Sequence, residues 1–177
     1  MMARHHLPAL DEKKRYELHN NNPKDQGYLQ FLSPITNYIT SNFNGEHKGL
    51  DFGCGPVPAM QIILKEKKVN ITSYDPYFSK IERSAFDSYD FIILCEVMEH
   101  FSSPLTEFKF LYQLLHPGGH LICKTNLFSD AINFETWWYK NDPTHVFFYA
   151  DQSIEFIKNV CNFTTIKKFD DFFVFYK

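Results

Sequence analysis

The segment Asp90-Phe91-Ile92-Ile93-Leu94-Cys95 is a nearly unbroken apolar run. A strand with one wet face alternates apolar and polar residues. A strand covered on both faces by helices does not. The run therefore predicts a buried strand in a parallel sheet, and the neighbouring segments supply its partners. Residues 49–52 read as a short strand and 53–56 as a tight turn. Residues 57–66 then read as a helix, with Val57, Met60, Ile63 and Leu64 on one stripe. Pro56 and Pro58 fall where a first helical turn tolerates proline. Residues 69–74 form a second strand, closed by Asp75-Pro76. Beyond the apolar run, Ser103 is expected to cap a helix that starts at Pro104 and carries Leu105, Phe108, Leu111, Tyr112 and Leu115 on one face. Pro117-Gly118-Gly119 stops it, and 120–126 is the next strand. A helix over 153–163 and two strands, 164–169 and 172–176, close the chain as an antiparallel hairpin. Upstream, helices are expected over 10–19 and 28–43, with Pro34 kinking or restarting the second.

Strand, helix, strand, repeated in order, predicts an α/β fold. The expectation is a Rossmann-like, doubly wound, mostly parallel sheet with a C-terminal antiparallel hairpin. At 177 residues the chain is read as a single domain. Its parts are an N-terminal helical cap (1–46), a ligand-binding half (47–126), an aromatic cap (127–150) and a closing helix and hairpin (151–177). With 44% apolar and 18% aromatic residues the chain is no disordered linker. A net charge of −3 argues against nucleic acid or an anionic membrane as the main partner. No apolar run approaches membrane-spanning length, and no secretory h-region precedes residue 7. Cys54, Cys95, Cys123 and Cys161 are scattered without a CxxC pair. Reduced thiols and a cytoplasmic location are therefore expected, as a monomer or homodimer.

Doubly wound sheets bind ligands at the carboxyl ends of their strands. Chemistry is thus expected after Asp51, Asp75, Cys95 and Asn126. The turn Gly53-Cys54-Gly55 lets a ligand lie against bare main chain, and the following helix aims its free N–H groups at the same place. Asp75 stands 20 residues past Gly55, where an acidic side chain reaches ribose hydroxyls in dinucleotide folds. The competing reading of Asp75 is a turn former before Pro76.

Taken together, Leu50-Asp51-Phe52-Gly53-Cys54-Gly55, Tyr74-Asp75, the stretch from Tyr89 through Cys95-Glu96-Val97-Met98-Glu99-His100, and Leu115-His116-Pro117-Gly118-Gly119 resemble a class I S-adenosylmethionine-dependent methyltransferase. The likeness is greatest to the small-molecule, quinone-methylase-like branch. The resemblance implies S-adenosylmethionine as cofactor. It implies that Asp51, Phe52 and the turn Gly53, Cys54, Gly55 hold its methionine moiety, and that Asp75 takes the ribose hydroxyls. Cys95 and Glu96 would line the cofactor through their backbone. Tyr16, His19 and Tyr28 would fold over it from the N-terminal helices. His100 would start the next helix near the reacting methyl. One departure stands out: only 15 residues separate Asp75 from Asp90. A helix, a strand and an acidic adenine contact do not fit there. A six-stranded sheet lacking the third strand is expected, with Pro76, Tyr77 and Phe78 beside the adenine.

The segment from Trp137 to Tyr149 is expected to overhang the site as a substrate cap. Asn126, Trp137, Trp138 and Tyr149 are the candidate substrate contacts, and Phe147 and Phe148 are expected in the core. His100 and His145 are the candidate bases for an acceptor that must lose a proton. His5, His6 and His19 have no carboxylate or cysteine set at ligand spacing, so no metal site is expected. The expected activity is methyl transfer to a small, aromatic or partly apolar acceptor. The alternatives are a non-catalytic cofactor- or partner-binding module on the same fold and a nicotinamide oxidoreductase. The oxidoreductase is disfavoured because the third glycine of its fingerprint is Pro58 and Asp51 would repel a pyrophosphate.

Overall fold

The parallel strands β1 (Lys48–Phe52), β2 (Asn70–Tyr74), β3 (Tyr89–Cys95) and β4 (Leu115–Lys124) lie side by side in the order β2-β1-β3-β4. The sheet is completed beyond β4 by β6 (Phe173–Tyr176), antiparallel to β4, and then by β5 (Thr165–Lys168), antiparallel to β6. This is a computed structural model, and it describes residues 7–18, 21–79 and 81–177. The helices are α1 (Ala9–Glu17), α2 (Gln26–Asn42), α3 (Ala59–Glu66), α4 (Pro104–Leu114) and α5 (Asp151–Cys161).

The apolar run behaves as a doubly covered strand must. Phe91 and Ile93 point to the face packed by Leu32, Ile35 and Ile39 of α2 and Ala59, Met60 and Leu64 of α3. Ile92 and Leu94 point to the opposite face, against Phe108 and Leu111 of α4 and Ile154, Ile157 and Cys161 of α5. All four strand residues are fully buried. Their alternation by residue follows from the two-residue period of the strand. Gly49 belongs to the same packing. A Cβ there would sit 2.1 Å from the Phe91 ring, so no larger residue fits.

The missing third strand is a property of the fold. Between Tyr74 and Tyr89 the described residues make only a turn and a short 3₁₀ helix, Arg83–Ala85. The uncovered space is filled by side chains. Phe86 packs edge-on to Tyr74 with centroids 4.9 Å apart. Arg83 pairs with Glu107 at 2.7 Å and lies over the rings of Phe52 and Phe110.

Three local expectations change. Pro34 neither stops nor restarts α2, which runs through it as one helix. A proline removes one N–H, and tertiary burial of Leu32, Ile35, Thr36 and Ile39 offsets that loss. Ser103 occupies the N-cap of α4 but makes no capping bond with its side chain. The Pro117-Gly118-Gly119 segment is absorbed into β4, whose register against β3 shifts between Tyr89 and Phe91. Residues 127–150 carry no strand or α-helix, only a 3₁₀ turn at Trp138–Asn141.

Candidate functional site

The strand order reverses between β1 and β3, and a cleft of about 1100 Å³ opens there at the carboxyl ends of the parallel strands. Its floor is the turn after β1. Gly53 and Gly55 have φ of 88° and 67°, in the left-handed region that glycine tolerates. At Gly53 a Cβ would also lie 2.6 Å from the Val97 side chain, so the turn stays bare by steric necessity. Asp75 closes the next strand and locks this turn. Its Oδ2 accepts from the Gly55 N–H at 3.0 Å, and its Oδ1 accepts from the Tyr77 N–H at 2.8 Å. The carboxylate is therefore held in one orientation before any ligand arrives.

Asp51 lies below the turn and is only 4% exposed. Burial, then the charge of Asp75, lifts its carboxyl to about 7. The thiol of Cys54 is pushed up to about 12 by burial and then by Asp51, and Cys95 rises well above the ordinary value for the same first reason. Neither thiol is a nucleophile near neutral pH.

Glu96 leaves β3 with φ of 52°, an uncommon conformation for a residue with a Cβ. Held strain of this kind concentrates at working sites. Glu99 follows in a 3₁₀ turn and is fully buried. The Tyr139 hydroxyl donates to Glu99 and stands 3.1 Å from Glu96 Oε2, while the Thr125 hydroxyl donates to Glu99 Oε2 at 3.0 Å. Burial raises the proton affinity of both carboxyls, and for Glu99 the nearby Glu96 adds to it. His100 and His145 stand beside this pair with ring centroids 4.9 Å apart.

A cap covers the cleft. Helix α1 fully buries none of its residues, and polar and ring contacts seat it. Arg15 donates to Asp142 Oδ2 through Nε and Nη2 at 3.1 and 2.8 Å. The Tyr77 hydroxyl donates to Glu12, and Tyr16 meets the His100 ring edge-on at 5.3 Å. Burial works against the Asp142 carboxylate, but bonds from Thr144 and Arg15 hold it below the usual carboxylate range.

The cleft gathers most of the residues singled out from the sequence. Asp51, Phe52, Gly53, Cys54, Gly55, Asp75, Pro76, Tyr77, Cys95, Glu96, Tyr16, Tyr28, His100, His145 and Trp138 all line it. His19 lies outside the described residues. Asn126 opens on a neighbouring, smaller hollow that shares Glu96 and Trp138 with the main cleft. Trp137 and Tyr149 line neither hollow. Trp137 packs among Phe128, Phe134 and Phe148, and the Tyr149 hydroxyl donates to the Met98 carbonyl in the core. Phe147, expected in the core, is 37% exposed. His100 ends a 3₁₀ turn and does not begin α4. The sequence reading gave no role to Glu99 or Tyr139. The signal available for Glu99 was a second carboxylate, four residues past the end of the apolar strand and three past Glu96. Tyr139 is 14 residues from Thr125 and 40 from Glu99 in the chain, so no local pattern joins them.

A donor set with buried acids at the floor and acids along the wall suits a cationic ligand. It would repel the pyrophosphate of a dinucleotide. This sheet, with the bare turn after β1 and the acid after β2, defines a Rossmann-like methyltransferase fold. Residues 10–167 match the family model described as a methyltransferase domain. The chain belongs to this family, and S-adenosylmethionine is its cofactor. No curated protein matches the chain in sequence. Among solved structures it resembles an O-methyltransferase family protein from Burkholderia thailandensis, at 8% identity and a TM-score of 0.61. That likeness covers 93% of this chain and 61% of the other. It also resembles an O-methyltransferase from Nostoc punctiforme (12% identity, TM-score 0.63, 88% of this chain and 58% of that one). A third is an S-adenosylmethionine-dependent methyltransferase from Archaeoglobus fulgidus (15%, 0.60, 81% and 76%). The chain thus spans about three fifths of the length of the first two. At these identities the structures speak for the fold alone.

Proposed function

We propose that this chain catalyses S-adenosylmethionine-dependent methyl transfer to a small, aromatic or partly apolar acceptor. The observation that carries the reading is the pre-set Asp75 carboxylate, bonded to Gly55 and Tyr77 across the bare turn and facing the cleft. Ribose hydroxyls would donate to its remaining lone pairs. Asp51 would face the ammonium end of the methionine moiety, with Phe52, Gly53, Cys54 and Gly55 against its backbone. Pro76 and Tyr77 would flank the adenine, with Tyr16 and Tyr28 above the ligand and the main chain of Cys95 and Glu96 beside it. When bound, the cofactor supplies an electrophilic methyl group. The chain's own part is to align an acceptor with it, exclude water and receive a proton. Alignment of this kind is worth about 7–11 kcal/mol of barrier.

The acceptor end would lie at His100, His145 and Glu96, which line the cleft together with Trp138, with the buried Glu99 behind them. Trp138 is 66% exposed, a large apolar surface that an aromatic acceptor would cover. The acceptor's proton leaves toward this cluster.

The test is calorimetric titration with S-adenosylmethionine and with NADH, followed by transfer of a labelled methyl group to a panel of phenols and quinols. Binding of the methyl donor alone, followed by product, supports the reading. Tight donor binding without transfer to any acceptor favours a cofactor-binding module. Binding of NADH overturns the assignment.

A further inference from the structure

We propose that Glu99, His100 and His145 hold a divalent cation at the acceptor end of the cleft. This rests on the methyl-transfer reading for its chemistry but not for its geometry. One ligand atom from each of the three residues lies within 4.8 Å of the others. His100 Nδ1 is 3.0 Å from the Thr144 carbonyl oxygen, and His145 Nδ1 is 2.8 Å from the Tyr139 carbonyl oxygen. A carbonyl only accepts, so Nδ1 carries the hydrogen in both rings and coordination falls to Nε2. That is the orientation metal-ligating imidazoles take, with the other ring N–H donated to main chain. The two ring planes stand 66° apart, with centroids separated by 4.9 Å. The Glu99 carboxylate is oriented in the same way, by the hydroxyls of Tyr139 and Thr125.

Charge gives a second, independent argument. Glu99 is fully buried, and Glu96 reaches the same tyrosine hydroxyl. Among the described residues no lysine or arginine makes an ion pair with either. Buried carboxylates are normally paired or bound to metal. Metal bonds of about 2.0–2.2 Å hold neighbouring ligand atoms about 3.3–3.6 Å apart in a tetrahedral shell, and small side-chain rotations bring atoms within 4.8 Å of one another to that separation. Two imidazoles with one carboxylate select Mn²⁺, Fe²⁺, Co²⁺ or Zn²⁺ over Ca²⁺ and Mg²⁺, which favour all-oxygen shells.

Three protein ligands leave open positions, and both histidines line the cleft. The substrate class that fits is a hydroxyl compound, a phenol or alcohol whose oxygen takes an open position. The cation lowers the cost of losing that hydroxyl proton, which passes to Glu96 or to solvent. The oxygen lone pair then bonds to the methyl carbon. The carbon–sulfur bond breaks with its electron pair kept on sulfur. The products are a methyl ether, S-adenosylhomocysteine and one proton. His100 and His145 then act as ligands, not as bases.

The test uses the full chain, stripped with EDTA and dialysed. It is titrated with MnCl₂, followed by electron paramagnetic resonance, and with CoCl₂, followed by visible absorption. The expected result is one tight cation per chain, with affinity reduced about 10–100-fold or more in His100→Ala and in His145→Ala. Glu99→Gln should behave alike. If it fails to fold by circular dichroism, the two histidine variants decide. A folded wild type that takes up neither metal, or binding unchanged in both histidine variants, overturns the site. S-adenosylmethionine titration runs in parallel. Cation binding without donor binding would overturn the methyl-transfer reading and leave the metal site standing; the reverse would do the opposite.

Discussion

The amide of Gly55 donates to Asp75 Oδ2 at 3.0 Å, tying the turn after the first strand to the end of the second. Both oxygens of Asp75 are held by backbone N–H groups, so the side chain is fixed before a ligand reaches it. Ribose binding through such a carboxylate would involve two charge-assisted bonds, each worth about 1.5–3 kcal/mol. Asp75→Ala is therefore expected to weaken S-adenosylmethionine binding by about 100-fold or more. Asp75→Asn should bind between the two, because it keeps one acceptor oxygen. Isothermal titration of the three proteins, with circular dichroism to show they are folded, measures this.

Asp51 supplies a pH dependence of definite sign. Burial, then the Asp75 charge, raises its carboxyl from 3.8 to about 7. The folded protein therefore holds this proton more tightly than the unfolded chain. The associated stability is full below about pH 4 and is lost as pH rises through about 7. Asp51→Asn should flatten that profile and raise stability at pH 8, by at most about 4 kcal/mol. The same variant should lose cofactor affinity. A cationic ammonium group beside Asp51 would also expel its proton, so wild-type binding at pH 6 should release a proton. Calorimetry in buffers of different ionisation enthalpy reads that release, and it should vanish in the asparagine variant.

Much of this architecture was legible because it depends on short-range periodicity. The Phe91 to Leu94 run, the Gly53–Gly55 spacing and the position of Asp75 are all local signals, and each found its place. The missing strand followed from arithmetic on chain length. What was not legible depends on pairs far apart in sequence. Glu99 and Tyr139 meet across 40 positions, and Arg15 and Asp142 across 127. Trp137 and Trp138 are neighbours with the same chemistry, yet one is 8% and the other 66% exposed. In a segment with no regular period, nothing in the sequence decides which of the two faces inward.

The Tyr139 hydroxyl is the shared partner of two carboxyls, the buried Glu99 and the half-buried Glu96. Tyr139→Phe keeps the ring packing and removes that donor. An unserved buried acceptor costs about 1–3 kcal/mol. Burial already favours the protonated forms of both carboxyls. The hydroxyl bond favours the charged form, so its loss matters more where the carboxyls ionise. Urea unfolding with EDTA present should show a larger loss at pH 8 than at pH 5. Equal losses at both would place the tyrosine's contribution in packing alone.

Gly53 meets two separate constraints, its φ of 88° and the Val97 side chain 2.6 Å from where a Cβ would be. Gly53→Ala should cost about 1–2 kcal/mol for the left-handed backbone alone, with the steric overlap added. Combining it with Val97→Ala removes only the second part. Thermal unfolding of the single and double variants, corrected for Val97→Ala by a double-mutant cycle, separates the two. A coupling near zero would mean the turn shifts to avoid Val97.

Arg15 and Asp142 join the N-terminal helix to the segment after β4, and α1 buries no residue of its own. Its seat over the cleft therefore depends on polar contacts and on the Tyr16 ring against His100 and Tyr77. Arg15→Ala should leave global stability within about 0.5 kcal/mol, as a partly exposed substitution does. It should instead free the helix locally, so that trypsin cleaves after Lys13 and Lys14 faster than in wild type. Ligand affinity should fall with it, since Tyr16 lines the cleft from the same helix. Arg15→Lys keeps the charge but loses the paired Nε and Nη2 contact, and should fall between the two. Added S-adenosylmethionine should slow the cleavage in all three proteins. Cleavage rates indifferent to both the substitution and the ligand would show that α1 does not cover the bound cofactor.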